Sequence, residues 1–227
     1  MKNKKINLII FDCDGVLVDS EEISNRILLE MTKEFGLVMS MQEAIRNFSG
    51  RSFKDILQQI ESKIDGKLTS DFEKEYRIRT YSAFKTELKP IKGVKKFIED
   101  LSIPYCVASS GPVEKIKNNL TVTGLYKRFG DNVFSSYQIN SWKPEPDIFL
   151  YAAREMGFSP AECIVIEDSK AGVVAAKQGG FNVFGFANQN NSKLLADEGA
   201  IVFYDFEELP KILNARHFSF IATSNFG

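Results

Sequence analysis

Residues 9–15 read Ile9-Ile10-Phe11-Asp12-Cys13-Asp14-Gly15. An apolar run of strand length ends in two acids, two positions apart, and then a glycine. A strand buried on both faces reads as continuous apolar sequence. Such a strand does not carry acids at its end unless something offsets their charge. The carboxyl ends of strands are also where open parallel sheets place their ligands. Taken alone, Asp-x-Asp-Gly fits a solvated acidic turn as readily as an ion site.

Working outward, further short apolar runs lie at 104–109, 163–166, 181–186 and 200–204, beside the first at 6–12. Patterns of helical period separate them. Strands alternating with helices predict crossover units and a mostly parallel, Rossmann-like sheet, an α/β fold. Residues 20–87 read differently. Ile23, Ile27, Met31 and Phe35 recur every four residues before Gly36. Phe53, Ile56, Leu57, Ile60 and Ile64 follow a second helical pattern, and Phe72, Tyr76, Ala83 and Phe84 a third. This stretch predicts a helical cap domain, 20–87, inserted into a core domain of 1–19 and 88–227. Pro146 is placed to open a helix carrying Phe149, Ala152, Ala153 and Met156, which Gly157 stops.

A second acidic pair bears on the first. Glu167 and Asp168 end the run Cys163-Ile164-Val165-Ile166. Two parallel strands that both finish in paired carboxylates can point four acids, Asp12, Asp14, Glu167 and Asp168, at one sheet edge. Their repulsion would be costly without a cation among them. Magnesium suits such a place, because it binds through one or two carboxylates together with phosphate and water. Val107-Ala108-Ser109-Ser110-Gly111-Pro112 offers hydroxyls and backbone N–H groups at a strand end before a helix, an arrangement that holds phosphate oxygens. Trp142-Lys143-Pro144-Glu145-Pro146 sets Lys143 in a proline-stiffened loop. Neither a P-loop nor a dinucleotide glycine pattern is present.

Composition limits the alternatives. The chain has 227 residues, 44% apolar and 26% charged, with nineteen phenylalanines, enough for a core and a companion domain. A net charge of −1 provides no basic field for nucleic acid or an anionic membrane. The N-terminal apolar run is short and ends in acids, which argues against a signal peptide or a membrane span and for a cytoplasmic protein. Cys13, Cys106 and Cys163 lie in or beside apolar runs without zinc-site spacing, and so read as buried reduced thiols. The one histidine, His217, sits near the end, so chemistry centred on a histidine base is not expected. The tail after Leu213 is apolar and carries no functional reading.

These elements, in this order, resemble the haloacid dehalogenase superfamily over nearly the whole chain. Its four motifs stand here as FDCDGVLVDS, CVASS, WKPEPDIF and VIEDSKAGVVAA. The helical insert matches the subgroup with a helical cap. The chain looks similar to bacterial 6-phosphogluconate phosphatases and, more distantly, to β-phosphoglucomutases. The resemblance implies that Asp12 is the nucleophile and a magnesium ligand. It implies that Asp14 is the general acid, ligating metal through its backbone carbonyl. Asp168 becomes a ligand, with Glu167 acting directly or through water. Ser109, Ser110 and Lys143 hold the phosphoryl group, and Gly50 and Arg51 lie on a cap loop that faces the substrate.

The departures separate the branches. Where the mutases carry an arginine in the cap this chain has Phe53, and where they carry a histidine after the first motif it has Ser24. The expectation is a magnesium-dependent phosphatase acting on a small phosphorylated metabolite, a sugar phosphate or sugar acid such as 6-phosphogluconate, as a monomer or weak homodimer. The alternative is a phosphosugar mutase. A dehalogenase would not call for Asp14, Glu167 and Asp168 together. A phosphorylatable receiver domain would lack the helical insert.

Overall fold

A computed structural model describes residues 4–48, 53–216 and 218–219. The described chain divides into two compact units. One runs up to Val18 and resumes at Pro90; the other is Asp19–Lys89.

The first unit is built on a six-stranded sheet. After the short strand β1 (Lys4–Lys5), its strands are β2 (Leu8–Phe11), β3 (Tyr105–Ser109), β4 (Val133–Ser135), β5 (Cys163–Glu167), β6 (Asn182–Phe186) and β7 (Ile201–Phe203). They lie in the order β4-β3-β2-β5-β6-β7, and every pairing is parallel. This bears out the α/β expectation. A final short strand, β8 (Phe218–Ser219), pairs with β1 outside the main sheet, so the described part of the apolar tail has a structural place.

All four residues of β2 are fully buried, as its unbroken apolar sequence requires. Leu8 and Ile10 share one core cluster with Cys106, Ala108, Phe149 and Ala152. Phe11 meets Phe97 and Phe129 edge-on, with ring centroids 6.2 and 5.9 Å apart. Alternate side chains of one strand thus meet separate partners. All three cysteines are free and buried.

The second unit carries α1 (Glu21–Lys33), α2 (Met41–Phe48), α3 (Phe53–Glu61) and α4 (Phe72–Glu87), with no strand among the described residues. Ile23, Ile27 and Met31 are buried, as their spacing predicts, and Ile60, Phe72 and Phe84 join them. The third predicted pattern is α4. The second ends earlier than the apolar spacing suggests, at Glu61 rather than near Ile64, because turn-forming residues follow.

The helices of the first unit are α5 (Val94–Glu99), α6 (Val113–Val122), α7 (Tyr126–Phe129), α8 (Ser136–Ile139), α9 (Asp147–Glu155), α10 (Lys170–Gln178), α11 (Ser192–Asp197) and α12 (Leu209–Ala215). Pro146 stands at the N-cap of α9, one residue before the position expected, and Gly157 follows its end. No helix among the described residues is long and apolar enough to cross a membrane.

Candidate active site

The sheet order creates the site. β2 lies at the centre, with β3 on one side and β5 on the other. The chain leaves β2 for β3 and β4 in one direction and returns to build β5, β6 and β7 in the other. That reversal opens a crevice at the strands' carboxyl ends. Phe11 is level with Val107 and with Ile166, so Asp12 emerges beside Ala108 and Glu167. The backbone N–H of Asp12 donates to Ile166 O at 3.0 Å, which carries the pairing to the edge.

Lys143 reaches this edge from the loop before α9. Its Nζ lies 2.5 Å from Asp12 Oδ1 and 2.5 Å from Glu167 Oε1, with Ala108 O at 3.5 Å. The Phe149 ring centroid is 4.7 Å away. The lysine side chain is 6% exposed and that of Glu167 1%. Burial pushes the Asp12 carboxyl from 3.8 up to about 7; the Lys143 ammonium works against this, and the Glu167 charge adds to it. For Lys143, burial alone would lower the ammonium's proton affinity, but the Asp12 and Glu167 carboxylates more than offset that and raise it.

Glu167 is held from both ends. While Oε1 faces Lys143, Oε2 accepts from the backbone N–H groups of Asp168 (2.9 Å) and Ser169 (2.8 Å) and from Ser169 Oγ (2.9 Å). Ser169 in turn caps α10, its Oγ accepting from Gly172 N at 3.1 Å. A Cβ on Gly172 would collide with the Glu167 carboxylate. The glycine of Asp-Ser-x-x-Gly is therefore where this carboxylate needs open space.

The other two acids have separate partners. Asp14 Oδ2 pairs with Lys115 Nζ at 2.5 Å, and Asp14 Oδ1 accepts from Asn119 Nδ2 at 3.4 Å. Asp168 lies against the loop after β2, where Gly15, at φ +81°, leaves no room for a Cβ beside its carboxylate. Asn191 Nδ2 donates to the Asp168 carbonyl at 2.9 Å. Ser109, buried at the end of β3, accepts from Gly111 N at 3.2 Å, and the Gly111 carbonyl accepts from Ser135 Oγ at 2.6 Å. Ser110 follows, half-buried. Gly50 and Arg51 lie outside the described residues.

A family model described as haloacid dehalogenase-like hydrolase matches residues 9–186, from the first acidic strand through β6. The chain belongs to the haloacid dehalogenase-like hydrolases. It is 31% identical over 213 residues to the 6-phosphogluconate phosphatase of Escherichia coli K12, covering 93% of this chain and 96% of that one. Its fold matches a conserved haloacid dehalogenase-like protein of unknown function from Agrobacterium tumefaciens, with a TM-score of 0.86 and 33% identity over 93% and 99% of the two chains. It also matches a putative β-phosphoglucomutase from Thermotoga maritima, with a TM-score of 0.76 and 27% identity over 92% and 99%. The chain is a phosphoric monoester hydrolase of this family.

For this hydrolase the expected magnesium can be tested against the donors present. Among the described residues, no three His, Cys, Asp or Glu side chains gather as a ready-made ligand cluster. The four acids divide instead: Asp12 and Glu167 meet on Lys143, Asp14 meets Lys115, and Asp168 packs on Gly15. The Asp12 and Asp168 carboxylates are nonetheless hard oxygen donors. That set fits magnesium, which dehydrates reluctantly and keeps waters and phosphate oxygens as ligands. Both oxygens of Glu167 are already engaged, which suits holding Lys143 better than direct ligation.

Nothing in the sequence singles out Lys115 or Asn119. Polar residues four apart on a helix usually mark its solvated face. Their relation to Asp14 spans 101 and 105 residues of sequence and exists only once β2 and β3 are adjacent.

Proposed function

We propose that this hydrolase removes phosphate from a small phosphorylated sugar or sugar acid, 6-phosphogluconate among them, through a phospho-aspartate at Asp12. The observation that carries the reading is the buried ammonium of Lys143 set between Asp12 and Glu167 at the strand edge. It offsets the charge that would otherwise keep an anionic nucleophile from an anionic phosphate. Asp12 attacks phosphorus through a carboxylate oxygen, and the bond from phosphorus to the ester oxygen breaks. Asp14 gives its proton to that leaving oxygen. Water then attacks the phosphorus of the acyl phosphate and loses a proton to Asp14, releasing inorganic phosphate and restoring both acids.

Lys143, Ser109 and Ser110 hold the phosphoryl oxygens. Asp12 and Asp168, with the Asp14 carbonyl, would hold magnesium, and Glu167 steadies Lys143. The ion would supply further neutralisation of charge on the transferring group. The helical unit, 20–87 on the sequence reading, serves as the cap, with Gly50 and Arg51 assigned to substrate selection by resemblance. Against the mutase reading stands Phe53. Its ring stacks on Tyr76 at 4.6 Å within the helical unit, an aromatic face where a mutase presents a guanidinium to a second phosphate.

The test is release of inorganic phosphate from a panel of phosphate esters. Sugar and sugar-acid phosphates should be cleaved with magnesium, cleavage should stop in a chelator, and added magnesium should restore it. Full activity in the chelator would remove the metal from the mechanism. Conversion of a hexose 1-phosphate to the 6-phosphate without free phosphate would establish the mutase instead.

A further inference from the structure

Helix α6 places Lys115 and Asn119 one turn apart on the same face. Both reach a single carboxylate, Lys115 at Asp14 Oδ2 and Asn119 at Asp14 Oδ1. With a partner on each oxygen, the carboxylate is fixed in rotation as well as position. The lysine's stem lies across Gly111, its Cδ 3.3 Å from where a Cβ would stand. Its side chain is 20% exposed. Asn119 is fully buried, and its Oδ1 has no hydrogen-bond partner. An unpaired acceptor in that position costs stability. The adjacent positions Ile116 and Leu120, which face the same interior, are apolar and fully or almost fully buried. An apolar residue at 119 would serve the core better, so the amide is explained by what it does for Asp14.

We propose that Lys115 and Asn119 are positioning residues that hold Asp14 at the angle needed to pass its proton to the leaving oxygen. This rests on the reading of Asp14 as the general acid. Neither residue touches the reacting atoms, and both act through one carboxyl group. Their contribution should therefore follow the leaving group's need for a proton. An alkoxide needs one, whereas p-nitrophenolate departs without help.

The experiment measures kcat/KM, which reports the steps up to departure of the leaving group, for three esters: p-nitrophenyl phosphate, a hexitol phosphate, whose alcohol part carries no charge, and 6-phosphogluconate. Lys115→Met should lose about 10–100-fold on both alkyl esters and under about 3-fold on the aryl ester, part of the roughly 10²–10⁴ that acid–base catalysis supplies. Lys115→Arg, which keeps a donor, should recover much of the loss. Asn119→Leu should show the same dependence on leaving group while raising the melting temperature, and it tests the idea independently if Lys115→Met does not fold. Equal losses on all three esters would overturn the proposal in favour of a structural role. A loss confined to 6-phosphogluconate would overturn it too, making Lys115 a reader of the substrate's carboxylate. Failure of the parent enzyme to release phosphate from any ester would sink the proposed function itself, a different result from either.

Discussion

Burial opposes the charge of Asp12. Its carboxyl is pushed from 3.8 up to about 7, chiefly by burial and despite Lys143. With the folded value above the unfolded one, the stability this group contributes is present in full below about pH 4. It is lost as pH rises through about 7. Asp12→Asn replaces the acid with a neutral isostere and leaves Lys143 paired with Glu167. Without magnesium, its melting temperature should gain on the parent between about pH 5 and pH 8. A gap that stays constant or narrows would mean that Lys143, not burial, dominates at Asp12. Asp14 is a contrasting case. Its carboxylate is turned to Lys115 and Asn119, so Asp14→Asn should leave magnesium affinity by calorimetry unchanged while turnover falls roughly 10²–10⁴-fold. A large loss of affinity would make the side chain a ligand. The acids were legible as candidates in sequence because two apolar runs both end in paired carboxylates, and Lys143 because prolines stiffen its loop. Lys115 and Asn119 were not, since nothing local distinguishes them from an exposed helix face.

Among the elements, the join between β5 and α10 determines how the site is held. Glu167 ends the strand, accepts from the first turn beyond it, and keeps its other oxygen on Lys143. Gly172→Ala would set a methyl group onto that carboxylate. It should cost about 1–3 kcal/mol in denaturant unfolding, the scale of overpacking, and lower activity by displacing Lys143. A variant with parental stability and activity would show that Glu167 can move aside, and the join would lose its importance. Strands β2, β3, β5, β6 and β7 could be read from their apolar runs. β4 has three residues, too few to rise above loop sequence. Helix α2 has only eight residues, so its apolar stripe of Met41, Ala44, Ile45 and Phe48 spans two turns, short of the length that marks a helix in sequence.

Across the whole molecule, the chain places its four site acids and Lys143 in the α/β unit and interrupts that unit, after the first acidic loop, with a compact unit whose described elements are the helices α1 to α4. That order of textures was visible in sequence because strand and helix periods differ. The division of four acids among Lys143, Lys115 and Gly15 was not, because side-chain partners depend on register between strands. Every assigned role turns on Asp12 becoming phosphorylated, and one measurement addresses it most directly. The enzyme is mixed with 6-phosphogluconate and magnesium, quenched in acid during turnover, reduced with borohydride and digested. Borohydride converts a phospho-aspartate to homoserine, so peptides should carry homoserine in place of Asp12, and only when substrate was present. Steady release of phosphate with an unmodified Asp12, or with the modification on another acid, would contradict the account.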